Sequence, residues 1–220
     1  MNKASPYDSF YSKLMDLSVW IYTNILRFGK YENESIIKFA AAVENSNVLD
    51  YGCNTGRHAS SVKQAYGYNV MGADINPAAI SVAQRKGIPA ELITPNFFEK
   101  YKFSFDVIIN SHVLEHMDDP KELLVNIRGL LKEEGTFVIA IPQERIRGDI
   151  SPLQILYFLF KLKFENPHKH NFSKDQLFTL LKEAGFVPEE HIFCNFIPPF
   201  LTKDRIFITS RSLVVKCTKN

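Results

Sequence analysis

Short apolar runs rich in valine and isoleucine alternate along the chain with segments whose apolar residues recur at helical spacing. This alternation predicts βαβ units, in which neighbouring strands lie parallel and the connecting helices pack against the sheet. A chain of 220 residues is long enough to form one such domain with a sizeable core. The predicted strands are 47–51, 69–74, 90–93, 105–110 and 136–141, followed by a return to strands from residue 186 that ends in a long strand at 212–218.

The segments between these strands carry signals for the start of a helix. Asn76 followed by Pro77 opens one helix, and Asp119 caps a second. Ser173 and Gln176 have the spacing of a capping box and open a third helix. The apolar face of the second helix is predicted to consist of Leu123, Leu124, Ile127, Leu130 and Leu131.

Two segments fall outside the alternation. Residues 1–45 have helical patterning without a clear strand, so we predict a helical cap added to a main domain at 46–220. Residues 142–172 form an insertion that is much longer than a tight turn, and either segment could build a substrate lid. Within the insertion, 151–164 is apolar on nearly every helical face. That pattern predicts a buried lid helix, with a hydrophobic acceptor pocket or peripheral membrane contact as the alternatives.

Charge and cysteine content give no support to several classes of protein. The 26 basic and 24 acidic residues leave a net charge of +2, which is too small to favour a nucleic-acid partner. Cys53, Cys194 and Cys217 are far apart and lack the spacing of a zinc site or a disulfide framework. Because the chain also lacks a signal-peptide pattern and an apolar run of about 20 residues, we predict a cytoplasmic protein.

A glycine turn follows the first predicted strand, in the stretch VLDYGCNTGRHA at 48–59. A dinucleotide fingerprint needs glycines at the first, third and sixth positions, where this chain has Gly52, Asn54 and Arg57. A P-loop needs four residues between its glycines, whereas Gly52 and Gly56 enclose three. What remains is Asp-x-Gly-x-x-x-Gly at the carboxyl end of a parallel strand, where open α/β sheets bind ligands.

The stretch VLDYGCNTG resembles motif I of the class I S-adenosylmethionine-dependent methyltransferases, V-L-D-x-G-C-G-x-G. The similarity continues in VMGADIN, FDVIINSHVLEHMDDP and HNFSKDQLFTLLKEAGF, and spans about residues 47–187. It implies a Rossmann-like, doubly wound α/β fold with a seven-stranded, mostly parallel sheet, helices on both faces and added N-terminal helices. It also implies S-adenosylmethionine as the cofactor and S-adenosylhomocysteine as the product.

The resemblance assigns cofactor contacts to the carboxyl ends of the strands. Gly52 and Gly56 would let the backbone approach the methionine part of the cofactor, because neither carries a Cβ. Asp74, 24 residues after Asp50, would accept hydrogen bonds from the ribose hydroxyls, and Ile75 would pack on the adenine. The complete predicted set is Asp50, Gly52, Cys53, Asn54, Gly56, Asp74, Ile75, Asn96, Phe97, Asn110, Ser111 and His112.

Two positions depart from the family pattern. Asn54 replaces the usual second glycine of the turn, and asparagine tolerates left-handed backbone angles better than most residues. Either the turn survives this change or the affinity for the cofactor falls. Residues 96–98 match the segment where the family binds the adenine amine, often through aspartate, and Asn96 stands in that role here.

The implied reaction is in-line transfer of the sulfonium methyl to an O, N or C atom of a small-molecule acceptor of hydrophobic or sugar-like character. A hydroxyl acceptor would benefit from a general base, for which His112 and His116 are the first candidates and His170 the next. Glu115 and His116 could instead be structural and orient their loop through hydrogen bonds. No metal is predicted, because no cysteine completes a ligand set around His168 and His170.

Other functions are less consistent with these motifs. Asn110 is followed by Ser111 rather than by the Pro-Pro-Tyr of enzymes that methylate adenine or glutamine amino groups. The glycine spacing disfavours an NAD-linked oxidoreductase. A non-catalytic module that binds S-adenosylmethionine for regulation or assembly remains the alternative, because Asn54 departs from the family's turn.

Overall fold

The computed structural model describes residues 29–143, 169–195, 201–203 and 210–220, and these build a single sheet with helices against it. The strands are β1 (Asn47–Tyr51), β2 (Asn69–Asp74), β3 (Ala90–Leu92), β4 (Phe105–Ser111), β5 (Leu131–Pro142), β6 (Phe186–Asn195), β7 (Leu201–Thr202) and β8 (Ser210–Lys219). Their order across the sheet is β3-β2-β1-β4-β5-β8-β6-β7. Strands β1 to β5 pair in parallel, and β8, β6 and β7 continue the sheet antiparallel. The predicted α/β fold with a mostly parallel sheet is confirmed.

The number of strands differs from the prediction of seven, because the described residues contain eight. The additional strand is β7, which has two residues and pairs with Phe193 and Cys194 of β6. A strand this short has no periodicity that a sequence pattern could display.

The helices are α1 (Lys30–Phe39), α2 (Arg57–Tyr66), α3 (Pro77–Arg85), α4 (Phe97–Lys100), α5 (Pro120–Leu130) and α6 (Lys174–Glu183). The predicted caps are confirmed: the side chains of Asn76, Asp119 and Ser173 each accept a hydrogen bond from a backbone N–H in the first turn of their helix. Leu131 does not lie on a helix as predicted. It begins β5 and pairs with Phe105 of β4, since a buried leucine suits either kind of element.

Helices cover both faces of the sheet, as predicted, because neighbouring strand residues point to opposite faces. Val48 of β1 belongs to a buried cluster with Ile36 of α1 and residues of α2. The next residue, Leu49, belongs to a second cluster with Leu124 of α5 and Leu177 of α6. This two-sided core holds the carboxyl ends of β1, β2 and β4 side by side.

Parts of the predicted cap and insertion lie outside the described residues. Helix α1 falls within 1–45, where added helices were predicted, while 1–28 are not described. Most of the insertion, including 151–164 and His168, also lies outside the described part of the chain. Among the helices that the structure describes, none combines the length and apolar character that crossing a bilayer requires.

Candidate cofactor-binding site

The turn after β1 is held by hydrogen bonds to the end of β2. The backbone N–H groups of Gly52 and Cys53 both donate to the carbonyl oxygen of Ala73, at 2.7 and 3.0 Å. Gly52 and Gly56 have φ angles of 79° and 76°, in the left-handed region that favours glycine. The side chain of Val113 fills the space that a Cβ on Gly52 would need. Two independent constraints therefore require glycine at position 52.

Asn54 occupies the position of the family's second glycine without breaking the turn. Its φ of 47° is left-handed, which confirms that asparagine can adopt the backbone conformation required here. Its backbone N–H donates to Oδ2 of Asp74 at 2.8 Å. The departure from the family pattern thus leaves the turn attached to the end of β2.

We expect Asn54→Gly to change little, because glycine adopts this φ without strain and the hydrogen bond to Asp74 uses the backbone. The free energy of unfolding should stay within about 1 kcal/mol of the wild-type value, and binding of S-adenosylhomocysteine within about threefold. Asn54→Val should lower the free energy of unfolding by about 1–3 kcal/mol, because a β-branched residue is strained at positive φ. Denaturant titration and calorimetry measure both quantities. A large loss of binding in Asn54→Gly would mean that the asparagine side chain itself contributes to the site.

Asp50 and Cys53 contribute mainly to the shape of the turn. The Asp50 carboxylate is buried, and its Oδ2 accepts a hydrogen bond from the N–H of Ala59 in α2 at 3.0 Å. Burial raises the pKa of Asp50 to about 7, although this hydrogen bond and the charge of Arg57 act against the shift. The Cys53 side chain packs into a small apolar cluster beneath α3, where burial raises the pKa of the thiol to about 12. The backbone of Cys53 takes part in the hydrogen bonds of the turn, and its thiol donates to the carbonyl oxygen of Asn54 at 3.5 Å.

Asp74 stands at the end of β2, beside the turn. Its two carboxylate oxygens accept backbone hydrogen bonds from Asn54 and Asn76, each at 2.8 Å. A carboxylate oxygen has more than one lone pair, so Asp74 keeps capacity for further donors such as hydroxyls. The neighbouring Ile75 is 73% exposed and offers an apolar surface next to this carboxylate.

The predicted adenine segment divides into an exposed and a buried residue. Asn96 is exposed, and its side chain makes no capping hydrogen bond to α4. Phe97 is buried in the core, with its ring centroid 4.9 Å from that of Tyr101. Of the two side chains that we predicted for this segment, only that of Asn96 lies at the surface.

The end of β4 contains buried polar atoms that lack partners. Asn110 donates from Nδ2 to the carbonyl oxygen of Tyr51 at 3.2 Å. Its Oδ1 and the Oγ of Ser111 are buried and have no hydrogen-bond partner in the part of the chain that the structure describes. The amide oxygen of Asn110 can accept hydrogen bonds, and the hydroxyl of Ser111 can both accept and donate them.

His112 follows β4 and faces two carboxylates. Its backbone is left-handed, with a φ of 55°. The ring Nε2 lies 3.0 Å from Oε2 of Glu32, and Nδ1 lies 3.5 Å from Oε1 of Glu115. Glu32 comes from α1 and also approaches Nη2 of Arg57 at 3.5 Å. Glu32 and Arg57 were not predicted for this site, because no sequence motif marks either residue.

The other two candidate bases lie around Glu115. His116 ends a short 3₁₀ turn that begins at Leu114. The carbonyl oxygen of Glu115 accepts backbone hydrogen bonds from Lys169 at 2.8 Å and from His170 at 3.1 Å. His170 also lines a groove of about 540 Å³ that follows α6. The fold thus brings His112, His116 and His170 together around one residue.

The arrangement defines a class of protein. A glycine turn after β1, an acidic residue ending β2 and polar acceptors at the end of β4 lie together at the carboxyl edge of an open sheet, the edge where such folds bind ligands. The chain belongs to the methyltransferase domain family, whose profile matches residues 25–191, and with it to the class I S-adenosylmethionine-dependent methyltransferases. The residues present fit that cofactor, because its ammonium and ribose groups are donors and the site offers acceptors.

One curated relative is similar to this chain in sequence, and two solved structures share its fold. A ubiquinone biosynthesis O-methyltransferase of Cereibacter sphaeroides is 27% identical over 70% of this chain, and the match spans 66% of that relative, just under two thirds of its length. A crystal structure of a methyltransferase from Thermotoga maritima, described as a possible histamine N-methyltransferase, has a TM-score of 0.65 at 20% identity and covers 96% of this chain and 98% of its own. Geranyl diphosphate C-methyltransferase of Streptomyces coelicolor was solved with S-adenosylhomocysteine. It has a TM-score of 0.62 at 13% identity, and the match covers 99% of this chain and 88% of that enzyme.

Proposed function

We propose that this chain transfers the methyl group of S-adenosylmethionine to a hydroxyl oxygen of a small, hydrophobic acceptor. The observation that carries the proposal is the Asp74 carboxylate, held by the backbone of Asn54 within the glycine turn and still able to accept further hydrogen bonds. Transfer to oxygen is supported by the curated relative at 27% identity, which is an O-methyltransferase. The apolar sequence at 151–164 supports a hydrophobic acceptor.

Each part of the site has a role in this proposal. The cofactor supplies a methyl group already activated by its sulfonium charge. The backbone of the turn between Gly52 and Gly56 holds the methionine part, and Asp74 accepts hydrogen bonds from the ribose hydroxyls beside the apolar surface of Ile75. Asn110 Oδ1 and Ser111 Oγ accept from the methionine ammonium. Positioning of donor and acceptor would then supply up to about 7–11 kcal/mol of the rate acceleration.

A hydroxyl acceptor must lose its proton during the reaction. His116 lies in the loop that follows β4, and His170 lies in the segment whose backbone hydrogen-bonds to Glu115 of that loop. These two histidines are the proposed bases. A positioned base contributes roughly 10²- to 10⁴-fold. Single-turnover rates of His116→Ala and His170→Ala that equal the wild-type rate would exclude both residues as bases.

The experiment that tests the function has two steps. Calorimetry first measures binding of S-adenosylmethionine and S-adenosylhomocysteine, and a labelled-methyl assay then compares hydrophobic phenols with amines and sugars as acceptors. We expect binding of both nucleosides and transfer to a phenol. Binding without transfer to any acceptor would favour the non-catalytic module, and no binding would contradict the proposal altogether.

A further inference from the structure

Four charged side chains and one neutral histidine form a network where α1 meets the two loops of the cofactor site. Glu32 lies on α1, Arg57 opens α2 directly after Gly56, and His112 and Glu115 follow β4. We define these four residues as the ionic latch. One carboxylate, that of Glu32, contacts the cations of both loops, with 3.0 Å to His112 Nε2 and 3.5 Å to Arg57 Nη2.

The two carboxylates that face the ring of His112 favour its protonated form. Ionised carboxylates only accept hydrogen bonds, so a ring that faces a carboxylate from each nitrogen must donate from both. Nε2 of His112 lies 3.0 Å from Oε2 of Glu32, and Nδ1 faces Oε1 of Glu115 at the longer distance of 3.5 Å, an arrangement that suits an imidazolium between two carboxylates. Burial of the ring acts to lower the pKa of His112, but the charges and hydrogen bonds of Glu32 and Glu115 outweigh it and raise the pKa from 6.5 to about 10.

The remaining charges are consistent with this protonation state. Arg57 can only donate, so Nε2 of His58, 3.0 Å from Nη2 of Arg57, accepts, and Nδ1 of His58 donates to Oδ1 of Asn33. Burial, with the charge of Arg57, lowers the pKa of His58 to about 3, so this histidine is neutral. Glu115, next to His116, is held ionised: burial acts to raise its pKa, but the hydrogen bond and charge of His112 lower it. Two carboxylates thus balance one imidazolium and one guanidinium.

We propose that Glu32 and His112 are positioning residues for methyl transfer, joining α1 to the glycine turn and to the β4 loop so that the cofactor site is closed from the N-terminal side. The inference rests on the proposed function, because it concerns binding of the same cofactor. The latch lies at both ends of the turn: Arg57 follows Gly56, and Val113, next to His112, fills the space over Gly52. An imidazolium whose two protons face carboxylates has no lone pair to accept a proton, so His112 does not act as the general base.

The left-handed backbone of His112 supports a positioning role. A non-glycine residue at a φ of 55° is strained, and such strain persists only where surrounding contacts maintain it. Here the backbone N–H donates to the carbonyl oxygen of Ala140 at 2.9 Å, while the ring is held by the two carboxylates. Loss of Glu32 removes the contact to α1 and leaves the ring to titrate with Glu115 alone.

Glu32→Gln tests the latch, with Glu34→Gln as the matched control. Glu34 lies on the same helix, is half exposed and pairs only with the exposed Lys30 among the described residues, so the control removes the same charge at the surface. We expect Glu32→Gln to weaken binding of S-adenosylhomocysteine about 10-fold at neutral pH and Glu34→Gln to leave it within about twofold. Binding to the wild type should stay constant between about pH 6 and pH 8.5, whereas binding to Glu32→Gln should weaken across this range as His112 loses its proton. Equal affinities and parallel pH profiles in the wild type and Glu32→Gln would overturn the positioning role.

A second measurement uses the wild-type protein without the cofactor. Two-bond ¹H–¹⁵N correlation spectra report the protonation of each histidine ring, with His112 assigned by the signals lost in His112→Gln. We expect His112 to remain doubly protonated to above about pH 8 and His58 to be neutral. A neutral His112 ring at pH 7 would overturn the latch, whatever the outcome of the binding experiment. If the wild type binds no S-adenosylhomocysteine, the proposed function fails and the positioning role fails with it, while the spectra still decide whether the ionic contacts exist.

Discussion

Gly52→Ala is expected to abolish measurable binding of S-adenosylhomocysteine and to lower the free energy of unfolding by about 3 kcal/mol. Two costs combine at this position. Alanine is strained at a φ of 79°, and its Cβ would collide with a γ-methyl of Val113. The turn would have to move, and with it the two hydrogen bonds that its backbone makes to Ala73 at the end of β2.

Gly67→Ala is the matched control for this prediction. Gly67 also has a positive φ, 68°, but a Cβ built on it meets no described atom within 4 Å. Gly67→Ala should therefore lose only about 1 kcal/mol of unfolding free energy, from the strained backbone conformation, and should bind S-adenosylhomocysteine as the wild type does. The double variant Gly52→Ala with Val113→Ala relieves the collision and should recover part of the stability lost by the single variant. Denaturant unfolding and calorimetry measure both effects, and a Gly52→Ala protein no less stable than Gly67→Ala would contradict the role of Val113.

Asp74→Ala should weaken binding of S-adenosylhomocysteine at least about 100-fold, because hydrogen bonds to a charged group each contribute about 1.5–3 kcal/mol. The variant removes the proposed acceptor of the ribose hydroxyls and also the attachment of Asn54 and Asn76 to the end of β2. Isothermal titration calorimetry at neutral pH provides the comparison with the wild type.

Asp106→Ala controls for the general loss of a strand-end aspartate. Asp106 accepts a backbone hydrogen bond from Asn47 at 2.8 Å and pairs with Lys132, but it lies near the amino ends of β1 and β4, away from the turn. This variant should lose some stability and keep its affinity for S-adenosylhomocysteine. If Asp74→Ala binds as tightly as Asp106→Ala, Asp74 has no part in cofactor recognition.

The pH dependence of stability provides a further expectation for the latch. The folded pKa of His112 is raised to about 10 from 6.5, so its stabilising contribution is fully present below about pH 6.5 and is lost as the pH rises toward 10. The unfolding free energy of the wild type should therefore fall over this window more steeply than that of Glu32→Gln. Parallel curves for the two proteins would count against the ionic latch.

Local signals in the sequence predicted most of the architecture. The caps at Asn76, Asp119 and Ser173 involve residues two or three positions apart, so they can be predicted without knowledge of the fold. The turn between Gly52 and Gly56 can be predicted for the same reason. The alternation of apolar residues predicted a sheet covered by helices on both faces. Strand β7 escaped prediction because two residues cannot display a period, and Leu131 because its burial suits either a helix or a strand.

The class of fold, the position of the glycine turn and the acidic residue one strand away could be predicted from residue order, because they depend on backbone conformation and on spacing along the chain. Which side chains share the site depends instead on how the helices pack on the sheet. Glu32 and His112 are 80 positions apart, and their ion pair exists because α1 packs over the end of β4. The same packing placed the ring of Phe97 in the core and left Asn110 Oδ1 without a partner among the described residues. Side-chain charge and burial depend on neighbours that are distant in sequence, so no local pattern could have specified them.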